Sequence, residues 1–122
     1  MYPIGSIFRA NGLIVGGSDW AVSTMNPLVA IETAVRRQDP DDRVSGFLNK
    51  NESIDLTEIL KAYTINAAYL MHREEYTGSI EVGKAADLII LEKNLYNIAV
   101  DEISEVKVLQ TLLEGKTVFR LE

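Results

Sequence analysis

"GSIEVGKAADLIIL", Gly78–Leu91, is where the chain changes its period. Upstream of it apolar residues recur at helical spacing. Here two glycines punctuate a polar stretch, and the unbroken apolar run Leu88–Leu91 follows, which reads as one or two strands. "GSIEVGK" also has four residues between its glycines and then a lysine, the spacing of a phosphate loop. Ala85, however, stands where a Ser or Thr would hold Mg²⁺, and a strand rather than a helix follows. A nucleotide site is therefore rejected in favour of glycine-bounded turns carrying a surface lysine.

Downstream, Val106–Leu113 and Thr117–Phe119 flank Glu114-Gly115-Lys116 and read as a hairpin. Upstream, Leu56, Ile59, Leu60, Tyr63, Ala67, Leu70 and Met71 form one broad apolar face, so a helix is expected from Asp55 onward, with Glu58 completing a capping box. Before it, Asp41–Glu52 is polar and reads as a surface loop. Earlier still, Asn26-Pro27 pairs a favoured N-cap with a proline at the first helical position. Leu28, Ile31 and Val35 continue that helix until Asp39-Pro40, with Arg36 and Arg37 in its last turn. Leu13-Ile14-Val15, closed by Gly16-Gly17, fits a buried strand ending in a tight loop. The order is strand, helix, loop, helix and then several strands, which is α/β at first and mainly β afterwards.

With 122 residues and 47% hydrophobic residues the chain has the size and composition of one ordinary domain with a core. A net charge of −6 works against phosphate backbones and anionic membranes, so neither a nucleic acid nor a membrane surface is an expected partner. The absence of cysteine removes disulfides, thiolate metal sites and cysteine nucleophiles. The first residues, Met1 to Ser6, lack the pattern of a signal peptide, and no apolar run reaches the roughly 18 residues of a membrane span. A cytoplasmic location is the expectation.

Hydrolytic metal sites need several nitrogen or oxygen ligands converging on one ion. This chain has a single histidine, His72, at the expected end of the second helix, where a cationic side chain suits the helix dipole. Glu74-Glu75 and Asp101-Glu102 are paired acids at element ends, positions where like charges are solvated. Asp19 has a better functional case. It stands just past a strand end, where α/β folds place catalytic groups, and adjacent glycines allow close approach. An aspartate that only bonds its own loop fits the spacing as well, and on spacing alone is the favoured reading. Trp20 beside it either lines a pocket or packs over the strand end.

Taken together, "GGSDWAV", "NPLVAIETAVRR", "LTEILKAYTINAAYLMHREEYTGSIEVGKAADLIILEKNLYNI" and "VLQTLLEGKTVFR" resemble, in order and spacing, the C-terminal end of the amidohydrolase superfamily. The likeness is to the amidohydrolase family 3 branch that includes N-substituted formamide deformylase-like proteins. One departure is Ala21, where proline is usual after "SDW". The resemblance implies an α/β fold: a fragment of a metal-dependent hydrolase (β/α)₈ barrel, its last strand and helices in residues 1–76, followed by C-terminal β-sandwich strands in residues 77–122. By the same resemblance Leu13–Val15 would be the eighth barrel strand. Asp19 would be the aspartate that contacts the catalytic divalent metal, zinc by expectation, or takes the proton of the metal-bound water.

The family's other ligands would lie upstream of Met1, and a complete barrel needs about 250 residues. The expected function is thus the C-terminal portion of a metal-dependent amidohydrolase acting on non-peptide, amide-like carbon–nitrogen bonds of small molecules, catalytically incomplete as an isolated chain and itself holding no metal or only part of a site. The alternative is a non-catalytic oligomerising or partner-binding fragment. Either way a lone barrel strand and an uncovered helix face call for a homodimer or for the missing N-terminal portion.

Overall fold

The computed structural model describes residues 2–42 and 44–122. Met1, and Arg43 in the expected Asp41–Glu52 loop, lie outside the described residues. Four helices come first: α1 (Ile4–Arg9), α2 (Pro27–Arg36), α3 (Leu56–Ala62) and α4 (Ile65–Leu70). Three strands follow, β1 (Leu88–Leu91), β2 (Val108–Leu113) and β3 (Lys116–Arg120), in one antiparallel sheet ordered β1-β2-β3. Short 3₁₀ turns occupy Lys50–Glu52, Leu95–Asn97 and Val100–Glu105. No helix among the described residues is long and apolar enough to cross a membrane.

Helix α2 begins as its sequence dictates. The Asn26 side chain accepts from the Leu28 N–H at 3.0 Å, and Pro27 takes the first position, where its missing N–H costs nothing. It buries Leu28, Ile31 and Ala34 against Ile59 and Ala62 of α3, and against Leu95, Ile103 and Val106 of the segment between β1 and β2. Glu32, fully buried on the same face, holds the layers in register. It accepts from Arg36 Nη1 at 2.7 Å and from the Ser104 N–H at 2.9 Å. A buried carboxylate is tolerated because both oxygens are matched.

The second helix is not continuous. α3 ends at Ala62 and α4 starts at Ile65, because the Thr64 hydroxyl donates to the Leu60 carbonyl at 2.7 Å, and Thr64 itself leaves helical geometry at φ −125°, ψ −98°. Nor does the capping box form. Asp55 is the N-cap without a side-chain bond, while Glu58 pairs with Lys61 at 2.8 Å.

Leu13–Val15 is not a strand. A ladder needs a neighbouring strand, and this segment is met by helices instead: Asn66 Nδ2 donates to the Ile14 carbonyl at 2.9 Å, and the Gly16 N–H to the Ala62 carbonyl at 3.0 Å. The Gly78–Asp87 stretch makes turns, leaving one strand at Leu88–Leu91. Lys84 is not a free surface lysine. Its ammonium ties the turn together, donating to Ser79 Oγ at 2.6 Å and to Glu81 Oε1 at 3.0 Å.

The hairpin forms as expected, with Glu114 and Gly115 both at positive φ, 48° and 76°, the pair of left-handed residues that matches strand twist. α1 was not expected. Its Ser6 N–H and hydroxyl both bond the carboxylate of Glu52, so the Asp41–Glu52 loop ends in a buried anchor rather than running wholly over the surface.

Candidate functional site

The segment Ile14–Thr24 crosses the helical layer and forms one wall of a cleft of about 580 Å³. Its other walls come from Val29, Thr33 and Ala34 of α2, from Ile59 and Tyr63 of α3 and its C-cap, and from Arg37 at the end of α2. Three contacts fix the segment to the helices: the Asn66 and Ala62 bonds above, and the fit of Gly16 on the Tyr63 ring. A Cβ at Gly16 would lie 2.4 Å from two ring carbons, so only glycine allows this approach.

Beyond Gly17 the chain turns sharply. Asp19 sits at φ 50°, in the left-handed region that aspartate tolerates better than most residues, and its carbonyl accepts from the Val22 N–H at 2.9 Å. The Ser23 hydroxyl closes the turn on the Ser18 carbonyl at 2.7 Å. The Asp19 carboxylate, by contrast, makes no hydrogen bond or ion pair among the described residues. The backbone of Asp19 thus serves the turn, while its side chain is left exposed beside the cleft. Trp20 next to it is 63% exposed and is not among the residues lining the cleft.

Electrostatically the cleft holds Asp19 and one guanidinium, Arg37. Tyr63 lines the cleft, and burial pushes its phenol above its ordinary value. Thr33 is less available, since its hydroxyl donates to the Val29 carbonyl of its own helix at 2.8 Å.

His72 follows α4 at φ 54°, exposed and outside the lining of this cleft. Glu102 caps the Ala99 N–H at 3.2 Å, a structural task. Among the described residues no group of three or more His, Cys, Asp or Glu side chains converges to hold a metal ion. Asp19 offers one carboxylate where a divalent ion takes four or more ligands, so these residues do not by themselves fit such an ion. Asp19 was visible in the sequence as a loop acid behind two glycines. Arg37 and Tyr63 were read only as helix residues, and the one sequence signal for Tyr63's role was the glycine that needs a close neighbour.

Comparison with known proteins places this architecture. The amidohydrolase family matches residues 1–119. Protein LONG AFTER FAR-RED 3 of Arabidopsis thaliana is 36% identical over 97% of this chain and 20% of its own length. N-substituted formamide deformylase of Arthrobacter pascens is 32% identical over 94% of this chain and 21% of its own length. The chain therefore spans about a fifth of the curated relatives it matches. Among solved structures, an amidohydrolase from Thermotoga maritima MSB8 superposes with a TM-score of 0.66 at 24% identity, over 97% of this chain and 26% of that one. An adenosine deaminase from Xanthomonas campestris with bound zinc superposes at 0.68 and 23%, over 94% of this chain and 27% of that one. At such identities the likeness is one of fold, but the family match runs almost end to end, and the chain belongs to the amidohydrolase family.

Proposed function

We propose that this chain is the C-terminal portion of a metal-dependent amidohydrolase acting on non-peptide carbon–nitrogen bonds, and that it supplies Asp19 to a metal centre completed by residues outside it. The observation that carries this reading is the Asp19 carboxylate. It is held at the edge of a cleft by a tight turn, free of bonds among the described residues, in a chain that matches the family along residues 1–119. A carboxylate with no other partner keeps all its lone pairs available to an ion. Support for the metal comes from the bound zinc of the Xanthomonas campestris deaminase, and support for the bond type from the Arthrobacter pascens deformylase. Leu13–Val15 is then a barrel strand without its neighbours, which accounts for its irregular backbone. Alone, the chain is catalytically incomplete.

The test is complementation. The chain is mixed with a polypeptide carrying the upstream part of a family relative, and zinc content and hydrolysis of an N-substituted formamide are measured. Both should appear with the wild-type chain and fall with Asp19→Asn. Turnover that survives Asp19→Asn, or stoichiometric metal on the isolated Asp19→Asn chain, would overturn the reading.

A second reading, a fragment that associates with a second copy of itself, is favoured by one observation. β1 and β3 each have a single strand neighbour, all five residues of β3 are exposed, and Ile80 is 87% exposed close to β1 in sequence. A two-fold dimer formed by strand addition is the expected form, and light scattering that gives a monodisperse monomer would contradict it.

A further inference from the structure

Arg36 and Arg37 are neighbours with opposite surroundings. Arg36 has two side-chain acceptors, donating to Glu32 at 2.7 Å and to the Gln38 side chain. Arg37 caps α2 at φ 58°, and its backbone is satisfied: the N–H bonds Thr33 at 2.7 Å, and the carbonyl accepts from Leu48 at 2.7 Å. Its guanidinium is only partly so. The residue is only 8% exposed, one Nη2 contact reaches the Tyr2 carbonyl at 3.4 Å, and Nε has no partner among the described residues. The acid whose charge it feels, Glu52, has its oxygens committed to the Ser6 N–H and hydroxyl.

A guanidinium has five donors, and burying one without acceptors is costly unless an anion meets it. The space for that anion is present, because Arg37 lines the same 580 Å³ cleft as Asp19. The remaining walls are largely apolar, from Ile14, Val29, Ala34 and Ile59. We infer that Arg37 makes this cleft a carboxylate-binding site, accepting an anionic small molecule whose apolar body lies along those walls. A carboxylate matches the planar fork with two parallel bonds. A dianionic phosphate is disfavoured by the Asp19 charge in the same cleft and by the chain's net charge of −6. Resting on the function proposed above, the substrate is then an amide that carries a free carboxylate. The binding site itself does not depend on that reading, so its test uses the chain with no metal and no turnover.

Side-chain Nε–H correlations of the ¹⁵N-labelled chain are followed by NMR during titration with hexanoate, with hexanamide and with inorganic phosphate. The Arg37 signal is assigned as the one absent in Arg37→Lys. Hexanoate should move the Arg37 Nε–H saturably while hexanamide does not. Arg37→Lys, which keeps the charge and loses the fork, should weaken hexanoate by about tenfold or more, while Arg36→Lys should change it by less than about twofold. An unmoved Arg37 signal at saturating hexanoate, an equal response to hexanamide, or phosphate binding more tightly than hexanoate would each overturn the assignment. If Arg37→Lys does not fold, the signal is assigned by triple-resonance connectivity, and the contrast between hexanoate and hexanamide on the wild-type chain still decides it.

Discussion

Replacing Gly16 with alanine is the most direct perturbation of the seat on which the Asp19 segment rests. The Gly16 φ lies outside the left-handed region, so the effect is one of space alone. The new Cβ would lie 2.4 Å from Cδ2 and Cε2 of Tyr63 and 2.8 Å from Cζ, whereas ordinary contact begins at 3.4 Å. Either the ring retreats by about 1 Å or the Ile14–Gly17 strip lifts off, stretching the 3.0 Å bond from the Gly16 N–H to the Ala62 carbonyl. Overpacking of this kind costs about 1–3 kcal/mol. In a chain of this size that is a fall of very roughly 4 °C in Tm per kcal/mol. Urea unfolding followed by circular dichroism measures it, and Tyr63→Leu supplies the control. Leucine vacates the ring position, so the double variant should be more stable than the sum of the single effects by about 1 kcal/mol or more. A Gly16→Ala cost below about 0.5 kcal/mol, or strict additivity with Tyr63→Leu, would refute the close approach as the device that fixes the cleft wall.

Glu32→Ala leaves the Ser104 N–H and Arg36 without their partner and should cost about 2–4 kcal/mol in urea unfolding, while Glu32→Gln keeps an acceptor for Ser104 and should cost about half as much. Bonds from the Ser6 hydroxyl and then the Ser6 N–H, helped by the charges of Arg9 and Arg37, hold the Glu52 carboxyl below its ordinary 4.5. Its folded value is the lower one, so the stability it contributes is present above about pH 4.5 and is lost as pH falls toward the folded value. Ser6→Ala should therefore flatten the acid limb of a Tm against pH profile below about pH 4.5, and an unchanged limb would count against the Ser6–Glu52 link. Asp19→Asn removes no bond seen among the described residues and should shift stability by less than about 0.5 kcal/mol. A larger loss would mean that the carboxylate has a structural task instead.

What the sequence revealed follows how local each signal is. The start of α2 was legible because Asn26 and Pro27 act within one turn, and the β2–β3 hairpin was legible because Glu114-Gly115 carries its own turn chemistry. α1 was not, because "IGSIFR" has little helical preference of its own and is held by Glu52, 46 residues away from Ser6. The break at Thr64 lay hidden inside a regular apolar stripe, since a hydroxyl bonding back to the Leu60 carbonyl leaves no trace in periodicity. Leu13–Val15 has strand composition, but no strand pairs with it among the described residues, and composition carries no information on the neighbour a ladder needs. At the site, Asp19 could be picked out by its glycines. The place of Arg37 on the cleft wall depends on its left-handed conformation at the helix end, and the Asp39-Pro40 stop signal marks that end without showing where the residue packs.

The two halves of the molecule differ in how completely they are built, and the difference bears on what the chain can do. Leu28, Ile31, Ile59, Ala62, Leu95, Ile103 and Val106 close a core between the helices and the 3₁₀ segments, with Glu32 satisfied inside it. That core does not use the sheet except through partly buried Leu91, and β3 contributes nothing buried. The cleft is made from the well-packed half: its walls are core elements, and the Asp19 segment is fixed to them by Gly16 and Asn66. A cleft supported in this way keeps its shape without help from the sheet. Its shape and its chemistry are therefore separable. The geometry that presents Asp19 and Arg37 is local to these residues, whereas a metal centre needs further ligands that the described residues do not bring together. Small-molecule binding can thus be sought on this chain alone, while the proposed hydrolysis is to be sought where further ligands join Asp19.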